Sequence, residues 1–177
     1  MEQTIRVTAA LQERFQAAWA QRQVILFCAP CGCGKSAAAL LLLEPYTICR
    51  WDALESAPPE PPLDCEAVLL DNLQALSGPD AQQALCALIR EHPETHFVLL
   101  GRCPVPGWLM PFRYERRMQV FEAQDLMLDQ ETAEKLLSLS GASPAAAELA
   151  AIQKVCKGYP LAVSILCRLL RDGRPYD

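Results

Sequence analysis

Eight consecutive residues, Ala29-Pro30-Cys31-Gly32-Cys33-Gly34-Lys35-Ser36, have the types and spacing that hold a polyphosphate. They fit the Walker A pattern: Ala or Gly, four residues, Gly-Lys, then Ser or Thr. Gly32 and Gly34 let the backbone curl so that successive N–H groups converge as an anion nest, and a helix opening at Lys35 adds the positive end of its dipole. Lys35 would reach the β- and γ-phosphates. Ser36 would complete the coordination of a magnesium ion already bound by phosphate oxygens. The expected phosphate-binding segment is therefore Pro30, Cys31, Gly32, Cys33, Gly34, Lys35, Ser36 and Ala37. Cys31 and Cys33 stand inside this loop, where oxidation would block the nest.

Two further side chains complete a candidate set. Ala67-Val68-Leu69-Leu70 is a buried-strand run that ends in Asp71, a Walker B pattern placing a carboxylate at the sheet edge where open α/β folds bind ligands. Asp71 would hold magnesium through its water shell. Thr95 to Gly101 is a second such run, and Arg102 follows it, where a cation can meet a γ-phosphate. Lys35, Asp71 and Arg102 are thus the candidate catalytic residues, with Ser36 and Asp71 as the metal pair.

These side chains require elements to carry them. Gln23–Cys28 reads as a strand leading into the loop, and Lys35–Leu43 as the helix leaving it. Residues 4–21 form a helical stripe through Leu11, Phe15, Ala18 and Trp19. Tyr46–Trp51 and Met118–Phe121 add strands, and Ala81, Ala84, Leu85, Leu88 and Ile89 mark the core face of another helix. Residues 57–62 are too rich in proline for helix or ladder and read as a rigid connector. Strands alternating with helices specify a mainly parallel sheet with right-handed crossovers. From Asp129, an N-cap for a helix carrying Ala133, Leu136 and Leu137, the pattern is helical only. A second helix runs from Ser143-Pro144 through Val155 to the cap Gly158, and a third opens at Pro160 with Leu166, Leu169 and Leu170 inward.

With 177 residues the chain can bury a substantial core, and 51% hydrophobic against 21% charged residues is a globular balance. The net charge of −5 gives no general electrostatic case for nucleic acid. The chain starts without a signal-peptide pattern and has no apolar run that could span a bilayer, so its nine cysteines point to a reducing cytoplasm. Cys49, Cys86, Cys156 and Cys167 fall at apolar positions and act as small hydrophobes. The spacing of Cys28, Cys31 and Cys33 could bind a metal, but a phosphate loop turns its backbone inward. His92 and His96 flank a turn and are expected at the surface.

Walker A, Walker B, the strand before Arg102, Phe121–Leu126 leading into a helix, and Gly158-Tyr159-Pro160-Leu161-Ala162 together resemble the signal-transduction ATPases with numerous domains. The likeness is strongest to the N-terminal ATPase module of the large ATP-dependent LuxR-family transcriptional regulators of the maltose-regulator type. It implies a three-layer P-loop NTPase α/β sandwich over residues 1–122, and a small helical lid over 123–177 cut from a longer regulator. It also implies ATP and magnesium as ligands, Pro160 against the adenine, Arg102 as γ-phosphate sensor, and nucleotide-dependent self-association. DNA would be contacted only through a C-terminal domain outside this chain.

Two departures bear on activity. Asn72 stands where many members carry a second acid after the Walker B aspartate, which weakens the case for hydrolysis more than for binding. The segment before Walker B is also short and proline-rich. The reading is an ATP-binding switch with slow hydrolysis if any. The competing chemistry is a small-molecule P-loop kinase, to which Arg102, Arg113, Arg116 and Arg117 would lend a lid. A third is an interaction module that has lost nucleotide binding, against which Gly34-Lys35-Ser36 argues.

Overall fold

Five runs rich in β-branched and large apolar residues become five strands: β1 (Val24–Cys28), β2 (Ile48–Asp52), β3 (Ala67–Asp71), β4 (His96–Gly101) and β5 (Met118–Glu122). All neighbours pair in parallel, in the order β2-β3-β4-β1-β5. The computed structural model describes residues 7–55, 64–139 and 154–171. The proline-rich connector and most of the helix expected from Ser143 lie outside the described residues.

Parallel strands bury both faces, so they read as continuous apolar runs, and the two faces separate with period two. Ile25, Phe27, Val98, Leu100 and Phe121 point to one side of the sheet. There they pack on α1 (Ala9–Trp19) through Leu11, Phe15 and Ala18, and on α2 (Lys35–Leu42) through Ala38, Ala39 and Leu42. Val24, Leu26, Val68, Leu70, Phe97 and Leu99 point to the other side, against α3 (Pro79–Glu91) and the short α4 (Met110–Tyr114). The result is an α/β/α sandwich with β4 at its centre, flanked by β1 and β3.

Local chemistry sets the ends of these helices. Thr8 caps α1, its hydroxyl accepting from the Leu11 N–H at 3.1 Å, so the helix starts later than the apolar stripe suggests. Pro79 occupies the first turn of α3, where its missing N–H costs nothing. Of the core face expected for that helix, Leu85, Leu88 and Ile89 are buried, whereas Ala81 and Ala84 are exposed. Alanine is a strong helix former whether buried or solvated, so it marks a face poorly. His96 also departs from the expected surface position. It is half-buried and stacked on Trp19 with ring centroids 3.9 Å apart, and burial holds its imidazole below its usual pKa.

Beyond β5, a short 3-10 turn (Ala123–Leu126) is held by a capping box between Glu122 and Asp125. Leu126 still packs into the sheet core. A separate cluster begins at Leu128 and joins α5 (Gln130–Leu139) to α6 (Pro160–Arg171) through Ala133, Leu137, Cys156, Val163 and Cys167. Asp129 caps α5, its carboxylate accepting from the Thr132 N–H at 2.8 Å. In α6 Pro160, Val163 and Cys167 are buried, with Leu166 packed beside them; Val155, ahead of this helix, is 81% exposed. Among the described residues no helix is long and apolar enough to cross a membrane.

Candidate phosphate-binding site

β1 delivers the loop of residues 29–34 to the C-terminal edge of the sheet, and α2 leaves from it. Gly32 and Gly34 have φ of +82° and +75°, in the left-handed region where a side chain is strained, and Gly34 is the N-cap of α2. Residues alternating in this way turn their N–H groups to one side. The Lys35 ammonium folds over the loop and donates to the carbonyls of Ala29 and Pro30 at 2.7 and 2.8 Å.

Strand order brings the other candidates to the same place. β4 lies between β1 and β3, so Arg102, just past β4, stands between the loop and Asp71. Lys35, Ser36, Asp71, Asn72, Gln74 and Arg102 face one open cleft of about 380 Å³. Ser36 Oγ donates to Asp71 Oδ2 at 2.7 Å. A hydroxyl and a carboxylate in contact, beside a loop suited to phosphate, are hard oxygen donors of the kind magnesium takes alongside water and phosphate oxygens. These residues fit that ion.

The cysteines of the loop face differently. Cys33 is buried, while Cys31 is exposed. Cys28, at the end of β1, is pushed up to about 12 by burial, then by the Cys103 thiol, so it stays a neutral thiol. All nine cysteines lie among the described residues and none is joined in a disulfide. Among the described residues no group of three or more His, Cys, Asp or Glu is placed to hold a metal ion.

The start of α6 rests on the same loop. The Tyr159 hydroxyl donates to the Cys31 carbonyl, and the Leu161 N–H donates to the Gly32 carbonyl at 3.2 Å. Pro160 lies against Gly34, close enough that a Cβ there would meet the proline ring at 3.4 Å. Val7, Leu11, Leu126, Leu128 and Pro160 line a narrow apolar recess beside Gly34, with about 10 Å³ of open space. Gly158, at φ +74°, ties this end of α6 to the segment leading into α5: its carbonyl accepts from the Leu128 N–H at 2.8 Å.

Two residues, one beside the cleft and one lining it, carry no role in the sequence analysis. Asp52 ends β2 in register with Asp71, and both of its oxygens accept from the Asn72 amide, at 2.9 and 3.1 Å. The available signal was the run Ile48-Cys49-Arg50-Trp51-Asp52, a strand ending in aspartate like β3. Ending the expected strand at Trp51 left it out. Gln74, on the 3-10 turn Leu73–Ala75, carried no sequence signal. Of the arginines after Arg102, Arg117 turns away from the cleft, bonding Gln23 and lying over the Phe112 ring.

No protein-family model and no curated protein matches the sequence. Solved structures do resemble it. RuvB from Thermotoga maritima superposes with a TM-score of 0.62 at 16% identity, covering 92% of this chain and 61% of that one. A second RuvB structure gives 0.60 at 19% identity, covering 92% and 59%. A signal transduction ATPase with numerous domains and a tetratricopeptide repeat sensor, from Pyrococcus horikoshii, gives 0.59 at 12% identity, covering 93% of this chain and 31% of that one. The chain thus spans about three fifths of RuvB and under a third of the multidomain ATPase. The α/β fold is that of the P-loop ATPases.

Proposed function

We propose that this chain is an ATP-binding switch module. The phosphates lie on residues 30–37, Lys35 neutralises the β- and γ-phosphates, and Ser36 and Asp71 hold magnesium, which screens the phosphate charge. Arg102 meets the γ-phosphate, and the base enters the recess at Pro160. The core spans residues 1–122 and the lid 123–177, in keeping with the separate apolar cluster that begins at Leu128.

The observation that carries this reading is that α6 is bonded to the phosphate loop itself, through Tyr159 on Cys31 and Leu161 on Gly32. The recess beside Pro160 has about the space of one water, so a purine ring enters it only when the start of α6 shifts. Nucleotide occupancy and lid position are then one equilibrium, displaced by the difference in affinity between the two arrangements. Hydrolysis is slow and resets the switch.

The likeness to LuxR-family regulators supports a role in transcription control, in which ATP promotes self-association and a further domain contacts DNA. Nine unpaired-by-disulfide cysteines suit the reducing cytoplasm. Titration calorimetry of magnesium ATP and ADP against the chain, with Lys35→Ala as control, tests the reading. Micromolar binding abolished by the substitution is expected. Binding that survives it, or no binding to the folded chain, sinks the proposal.

A further inference from the structure

Asp52, Asn72 and Gln74 run as a hydrogen-bonded line from β2 to the phosphate cleft. Asn72 Nδ2 donates to Asp52 at 2.9 and 3.1 Å, and Gln74 Nε2 donates to Asn72 Oδ1 at 3.1 Å. Asn72 has φ +57°, a left-handed conformation that asparagine adopts more readily than most residues. That single residue turns the chain out of β3 and into the 3-10 turn, returning Gln74 to its side.

The line has a direction, set at one end. A carboxylate only accepts, so Asn72 must present its NH2 group to Asp52 and its oxygen to Gln74. Gln74 must then present its own NH2 group to Asn72, which leaves its carbonyl oxygen to face elsewhere. Gln74 is exposed and lines the same cleft as Lys35, Ser36, Asp71 and Arg102. The Asn72 hydrogen bond, then the Leu54 N–H, holds the Asp52 carboxyl below its usual range, so it remains an anion at neutral pH.

We infer that Gln74 is the residue that orients the attacking water, and that Asp52 acts through Asn72 to position it. This rests on the nucleotide reading above and extends it to the chemistry. A glutamine carbonyl accepting a hydrogen bond from the water aims a water lone pair at phosphorus, the water-positioning role that glutamine fills in some P-loop hydrolases. The water oxygen forms a bond to the γ-phosphorus as the bond from that phosphorus to the β,γ-bridging oxygen breaks. The electron pair stays on the β-phosphate of ADP, and both water protons leave with inorganic phosphate, one on the entering oxygen and one transferred to a γ-phosphate oxygen. Asn72 is thereby accounted for: with no second acid after Asp71, a neutral amide held by a carboxylate on the next strand does the orienting.

Single-turnover phosphate release from magnesium ATP, with affinity measured in parallel by calorimetry, tests the assignment on the full chain. Wild type should release phosphate above the Lys35→Ala background. Gln74→Ala, at an exposed position, should slow the step by about 100-fold with ATP affinity unchanged. Asp52→Asn should slow it by about 10-fold, because an amide leaves the polarity of the line undecided. In the Gln74→Ala background Asp52→Asn should add nothing, whereas a merely structural role would add its full effect. Full additivity, or an unchanged rate in Gln74→Ala, overturns the inference. Lys35-dependent binding with no phosphate release also overturns it and leaves the nucleotide switch standing; no binding at all removes both.

Discussion

The two halves of the cleft are built by different means. On the phosphate side, Lys35 bonds carbonyls five and six residues away, and Ser36, in the first turn of α2, meets Asp71, at the end of the buried strand β3, across 35 residues. On the lid side, Tyr159 reaches back 128 residues to Cys31, and a few contacts around Gly158–Leu161 hold the start of α6 in place. The first half is organised by short-range backbone geometry on a rigid sheet. The second depends on docking a small cluster whose loss leaves the cradle intact. An attachment made of so few contacts costs little to undo, whereas the loop cannot be disturbed without affecting β1.

That contrast can be broken from either side. Lys35→Ala should lower magnesium ATP affinity by at least about 100-fold, while the thermal midpoint stays put because the ammonium serves the ligand and not the core. A lowered midpoint with intact affinity would reverse the assignment of that half. Gly158→Ala should do the opposite. Its new Cβ would sit 2.2 Å from the Leu128 carbonyl oxygen at a φ of +74°, backbone that cannot yield. A loss of about 3 kcal/mol of stability within the α5–α6 cluster is expected. Hydrogen exchange should then rise across residues 128–139 and 154–171 while β1, β3 and β4 keep their protection.

Gly32→Ala touches both halves and sharpens the comparison. At φ +82° the added carbon would meet Leu161 Cδ2 and the Tyr159 hydroxyl, each at 2.9 Å. Both are movable side-chain atoms, so the cost should be about 1 to 2 kcal/mol, read as a drop in ATP affinity of about 10-fold together with faster exchange at the start of α6. The smallest effect concerns the lid alone. The Thr132 hydrogen bonds hold the Asp129 carboxyl below its usual pKa, so the stability this cap adds is fully present above the ordinary aspartate value. It fades as pH falls through that value towards the depressed one. Asp129→Ala should cost about 1 kcal/mol at neutral pH and flatten the acid dependence of α5 in melting curves.

Much of the phosphate half is legible because its determinants are local. A glycine-rich turn between an apolar strand and a helix announces itself in eight residues, and Asp71 and Arg102 each end a run that can only be a buried strand. The lid was read less well. Val163 and Cys167 carry the buried face of α6, with Leu166, of the expected stripe, packed beside them; the side chain of Leu170 lies outside the described residues. A short helix rich in leucine offers several apolar stripes, and the one that is buried depends on where its partner stands. His96 was misjudged for a related reason: Trp19, which covers it, comes from an element 77 residues earlier in the chain.

Period-two and period-3.6 patterns, glycine placement and proline punctuation act over a few residues, so the sequence by itself determined the strands, the phosphate loop, the caps at Asp129 and Gly158, and the parallel α/β class. Strand order was decided only in three dimensions. Placing β4 between β1 and β3 sets Arg102 between the loop and Asp71, and placing β2 beside β3 brings Asp52 to Asn72. No local pattern encodes which parallel strands become neighbours, because that choice rests on how both faces of the sheet are covered at once. The seat of α6 on Cys31 and Gly32 is of the same kind, a contact whose two sides carry no mark of each other until the chain closes on itself.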